Sequence, residues 1–92
     1  MQNETKDWGV TIVVAVSGNV WVARSVVFDG VFFHLSGARV VRKWGTTTGL
    51  NQLTRGPTKE TVLDAAAPLV SVLNHAAIAL IPCREEDWAG HV

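Results

Sequence analysis

The chain has 92 residues, enough to bury one hydrophobic core and too few for two domains or a large multi-substrate enzyme. Apolar residues make up 48% and charged residues 17%, and the formal net charge is zero, which argues against disorder and against a bulk electrostatic nucleic-acid binder. The single cysteine, Cys83, excludes an intrachain disulfide scaffold.

The first half reads as β-structure. Most of the 15 valines fall there, and residues 10–16 are rich in β-branched side chains. Ser17-Gly18-Asn19 is a turn cluster, after which residues 20–28 resume the strand pattern. Asp29-Gly30 is a hairpin turn signal, and residues 31–35 form the returning strand. Ser36-Gly37 reads as a further turn, with a fourth strand over residues 38–44. The pattern changes at Gly45. Three threonines and Gly49 precede Leu50 and Leu53 at helical spacing, and Gly56-Pro57 follow, so a short helix is predicted near residues 47–55. Residues 57–68 read as a long loop with a turn. Residues 69–73 alternate like a strand, and Asn74-His75 is a turn. Residues 76–81 fit a buried strand or a helix, and the flanking turn and proline favour the strand. Residues 85–92 read as a frayed acidic tail. The expected fold is a single α+β domain, mainly β: an antiparallel sheet or small barrel of about six strands with one short helix.

The first eight residues lack the basic region and cleavage site of a signal peptide. The longest apolar runs, residues 10–16 and 76–83, fall short of the ~18–20 residues of a spanning helix. A soluble, cytoplasmic protein is expected, without membrane contact. So few charges on a small body leave apolar surface outside, and such surface marks interfaces, so a homo-oligomer is expected over a merely greasy monomer.

The zero net charge hides a polarity. Arg39, Arg42, Lys43, Arg55 and Lys59 lie in residues 39–59, a stretch without an acid. It also holds Trp44, Thr46, Thr47, Thr48 and Gly49. A helix start offers backbone N–H groups, threonines donate hydrogen bonds, glycine allows close approach, arginine forks to phosphate and tryptophan stacks. Together these suit a nucleotide-like or other small phosphorylated ligand. The plainer alternative makes the arginines solvent-facing strand residues, Trp44 core and the threonines helix caps. Neither a P-loop spacing nor a dinucleotide fingerprint occurs.

Catalytic and metal signals are sparse. His34, His75 and His91 have no ligand-like spacing, and Cys83 after Pro82 reads as a buried structural thiol. His34 shares the face of Phe32 by strand alternation and is a candidate pocket residue. No catalytic residues, metal site or cofactor are predicted, and an enzyme is disfavoured.

Residues 35–45 with Gly49-Leu50-Asn51-Gln52-Leu53, Gly56-Pro57 and Ala77-Ile78-Ala79-Leu80-Ile81-Pro82-Cys83 resemble a family of small phage and prophage proteins that share a domain of unknown function. Its members order a "GAR" strand reaching a tryptophan, an "LxQL" helix and a closing "IxxIPC" strand, and the resemblance covers roughly residues 26–84. Here Arg42-Lys43 precede Trp44 where members carry an aromatic-rich stretch, making this chain more cationic. The resemblance implies a phage accessory protein inside an infected bacterial host. By analogy with small oligomeric inhibitors of bacterial defence, it suggests sequestration of a cyclic-nucleotide or ADP-ribose-like immune signal. The alternative is a protein-interaction module that binds a host or phage protein through its apolar surface, with Trp21, Trp44 or Trp88 as anchors. Single-strand nucleic-acid binding is disfavoured by the neutral charge.

Overall fold

A computed structural model describes residues 6–92. It is mainly β, as the composition predicts: seven antiparallel strands among the described residues form one curled half-barrel sheet. They are β1 (Thr11–Ala15), β2 (Val20–Ala23), β3 (Ser25–Phe28), β4 (Phe32–Lys43), β5 (Val62–Leu63), β6 (Ala67–Leu73) and β7 (Ala77–Pro82). The helical pieces are small. Leu50–Arg55 and Asn74–Ala76 form 3₁₀ turns, and Glu85–Trp88 forms one α-helical turn, α1.

β4 is the spine. Its first half lies between β3 and β6, and its second half between β2 and β5. β1 then pairs with β2 and with β7. This arrangement corrects the sequence reading within the meander. Ser36-Gly37 is not a turn: β4 runs straight through it, and Gly37 takes a positive φ of 61° inside the strand. The break falls instead on the neighbouring run, where Arg24 separates β2 from β3 and its N–H donates to the Ser36 carbonyl. A bent twelve-residue strand cannot keep one straight neighbour, so the predicted strand over residues 20–28 splits in two. The segment expected as a loop, residues 57–68, contributes the short β5 and the start of β6. Residues 77–82 are a strand, as favoured.

Strand alternation gives the sheet two buried faces. Val10, Ile12, Val20, Val22 and Val41 pack with Leu53 and Trp88 on one side. Val13, Ala23, Val26, Leu35, Ala38 and Val72 pack on the other. Trp88 has no exposed surface, and its Nε1–H donates to the Leu53 carbonyl at 2.8 Å. The segment expected as a frayed acidic tail is therefore docked into the core by its tryptophan. Among the described residues, no helix is long and apolar enough to cross a membrane.

Candidate functional site

The basic window assembles differently from the expectation. The short helix is a 3₁₀ turn that begins at Leu50, with Gly49 before it and no side-chain cap. The backbone N–H and hydroxyl groups of Thr47 and Thr48 converge on Gln52 Oε1 at 2.9–3.3 Å. Those donors are thus satisfied inside the loop. Arg39 is also occupied: its Nε–H donates to the Asp64 carbonyl at 2.6 Å and its terminal NH to the His91 carbonyl at 2.7 Å. It ties the C-terminal segment to β4.

Acids from outside the window lie near two of the remaining cations. Asp64 lies 3.5 Å from Arg42, and Glu60 lies 3.9 Å from Lys43. The reason is local. Thr58 and Thr61 donate their hydroxyls to the carbonyls of Gly45 and Trp44, folding residues 58–61 onto the end of β4. Gly45, at φ 66°, lets the Glu60–Thr61 peptide come so close that any side chain there would collide with it. Arg55 forms no ion pair among the described residues, and Thr46 is half-buried. Trp44 stays 42% exposed, neither core nor enclosed site. Of the candidate groups in the window, Arg39, Thr47 and Thr48 are thus engaged within the protein, and Arg42 and Lys43 face acids.

His34 belongs to a cluster elsewhere. Its Nδ1 lies 2.9 Å from Ser71 Oγ, and its Nε2 lies 2.7 Å from Asp29 Oδ2. Ser71 is the direct cross-strand neighbour of His34, so register alone brings the pair together. Asp29 turns the β3–β4 connection, where its other oxygen accepts the N–H groups of Val31 and Phe32. The Phe32 N–H, the His34 ring and the Val31 N–H hold the Asp29 carboxyl down to about 2. Asp29, His34 and Ser71 thus form a hydrogen-bonded chain that joins the β3–β4 turn to β6 on the outer face of the sheet. Sequence reading singled out His34 and missed Asp29 and Ser71, since only strand pairing joins residues so far apart in the chain.

Around this cluster runs an apolar strip. Phe32, His34 and Ser36 on β4 face Leu73, Ser71 and Leu69 on β6, all on the outside of the sheet. Leu69 is 58% exposed, Leu73 42% and Phe32 38%. β6 carries no charged residue and, among the described residues, pairs with β4 alone. The pairing phase can be read from one bond. Asn74 N–H donates to the Val31 carbonyl, so Val72 and Val70 also bond toward β4. Leu69, Ser71 and Leu73 then point their N–H and C=O groups away from the sheet. Pro68 falls on the β4-facing phase, so it removes no donor from this outer edge. Of the other outer strands, β3 also pairs with Asp7, β5 has only two residues, and β7 is interrupted by the irregular register at Val14/Ala15 and by Pro82, which lies on its outward phase because the Cys83 N–H bonds to Val10.

Cys83 is half-buried, and burial pushes its thiol up to about 11, the inert state expected of a structural cysteine. No cluster of metal-binding side chains occurs among the described residues. No family model, curated protein or solved structure matches the chain.

Proposed function

We propose that this protein is a small protein-interaction module that docks a polypeptide along the outer edge of β6 and its apolar strip. The observation that carries this reading is the edge itself: three residues present backbone groups that no other strand pairs among the described residues, beside exposed Leu69, Leu73 and Phe32, without a charge on the strand. Natural sheets usually blunt such an edge with lysine, proline or a bulge, because it templates pairing with another chain. Backbone bonds along an added strand supply affinity, and the alternating outer side chains supply specificity. A role as a phage accessory protein in a bacterial cell rests on the motif resemblance alone.

Sequestration of a small phosphorylated ligand is the second reading. It keeps Trp44 exposed beside Arg42 and Lys43, and it loses Arg39 and the threonine donors. The two separate in one comparison. Tagged wild type, Leu69→Lys with Leu73→Lys, and Arg42→Ala with Lys43→Ala are used as baits in a bacterial lysate. The docking reading expects the leucine variant to lose a protein that the basic-patch variant retains. Loss from the basic-patch variant alone, or nucleotide retained by wild type and lost there, overturns it.

A further inference from the structure

The occupant of the β6 edge can be named from the strand's own symmetry. We infer that it is a second copy of this chain, paired antiparallel through β6 about a two-fold axis at Ser71. This rests on reading the β6 edge as a docking surface. The outward phase contains Leu69, Ser71 and Leu73, and Ser71 is its midpoint. The whole run Leu69-Val70-Ser71-Val72-Leu73 reads the same in both directions. An antiparallel two-fold therefore sets Leu69 opposite the partner's Leu73, Val70 opposite the partner's Val72, and Ser71 opposite the partner's Ser71. Residues of equal size meet at every position on both faces of the joined sheet.

Electrostatics permits the same occupant. An isologous contact brings each charge near its own counterpart, which usually disfavours pairing of charged edges. β6 has no charge from Ala67 to Leu73, so no like-charged pair is created. Asp64 and His75 flank the strand, and the two-fold places neither opposite itself. The bonding phase is also correct. Residues with outward N–H and C=O groups fall opposite one another, so each of the three pairs can exchange both backbone bonds. The apolar strips of the two copies then become continuous: Phe32 and Leu73 of one copy meet the partner's Leu69 and Ser36. A contact of this kind buries the facing flanks of Leu69 and Leu73 on both copies at once, part of the surplus expected from a chain so poor in charge.

The register makes the inference testable by disulfide formation. Directly opposed residues in a hydrogen-bonded antiparallel pair have Cα atoms about 5.5 Å apart, within the ~4.4–6.8 Å that a disulfide spans. The Leu69 positions of the two copies would lie four residues apart along the strand, roughly 13–14 Å. The native Cys83, half-buried with a raised thiol, serves as an internal control in every variant. Ser71→Cys is expected to give a covalent dimer on mild oxidation, Leu69→Cys alone is not, and Leu69→Cys with Leu73→Cys is. Sedimentation of wild type should give twice the 9.9 kDa of one chain, and Leu69→Lys with Leu73→Lys should restore the single mass. A wild type that sediments at the single mass over the accessible concentration range overturns the inference, whatever the folding of the cysteine variants. So does equal cross-linking by Ser71→Cys and Leu69→Cys. If wild type is monomeric yet the leucine variant still loses a lysate protein, self-pairing fails and the docking reading stands. If neither changes, both fail.

Discussion

Trp88→Ala is the sharpest test of how the C-terminal segment is held. The side chain is fully buried among Val10, Ile12, Val20, Val22, Val41 and Leu53, and its N–H satisfies the Leu53 carbonyl. Truncating a buried tryptophan to alanine costs about 3–5 kcal/mol, and a carbonyl left without a donor adds about 1–3 kcal/mol unless water enters the vacated space. A domain of this size has a total stability of about 5–14 kcal/mol. The variant should thus lose between about a fifth and all of its stability, and even a loss of about 3 kcal/mol would lower Tm by roughly 12–24 °C. Trp88→Phe keeps most of the apolar volume and removes the donor, so it should fall between wild type and Trp88→Ala. The assay is urea unfolding followed by far-ultraviolet circular dichroism, with the slope required to stay constant. If Trp88→Ala changed stability by less than about 1 kcal/mol, against the ~3–5 kcal/mol of a buried tryptophan, the segment would be frayed in solution and the reasoning refuted.

Three further outcomes follow from the geometry. Arg39→Ala should lower the urea midpoint by the equivalent of about 1–3 kcal/mol because the Asp64 and His91 carbonyls lose their donor, and Arg39→Lys should recover only part, since an ammonium lacks the planar fork. Asp29 has a folded pKa of about 2, below the ordinary 3.8, so its stabilising contribution is complete above 3.8 and is lost as pH falls through about 2. Asp29→Asn should therefore flatten the acid limb of the stability–pH curve in that window, with the lowered Asp7 and Glu86 carboxyls leaving a residual slope; an unchanged limb would contradict the assignment. Gly45→Ala should cost about 1–3 kcal/mol from the backbone conformation alone, with more from the collision with the Glu60–Thr61 peptide, read as a lowered thermal midpoint.

The sequence was most legible where local chemistry decides the structure. Asp29-Gly30 makes its turn because the aspartate oxygen accepts the next two available N–H groups, and β-branched runs become strands. It misled where a local signal has two structural uses. Ser36-Gly37 has the composition of a turn, but a glycine at positive φ also bends a continuous strand when partners on both sides hold it. Threonines before an apolar pair look like caps, yet the glutamine inside the turn took up their donors. Trp88 sits among acids, and those acids conceal a core anchor that only the packing of Leu53 reveals. The basic window also hid its local partners: Glu60 and Asp64 lie just outside it in the chain and beside Lys43 and Arg42 in space. The β6 edge was half legible. The alternation was visible, but which residues face outward depends on a single bond from Asn74 to Val31.

The position of β1 has a consequence for biosynthesis. It is buried on both faces and bonded to β2 on one side and β7 on the other. β2 follows within a few residues, whereas β7 leaves the ribosome more than half a chain later. Until then, one row of β1 backbone groups and much of its valine-rich surface has no native neighbour. Sheets closed by such distant pairings form late and slowly, and exposed strand edges in the interval invite aggregation. Nascent chains halted before residue 77 should therefore be the form that depends most on chaperones.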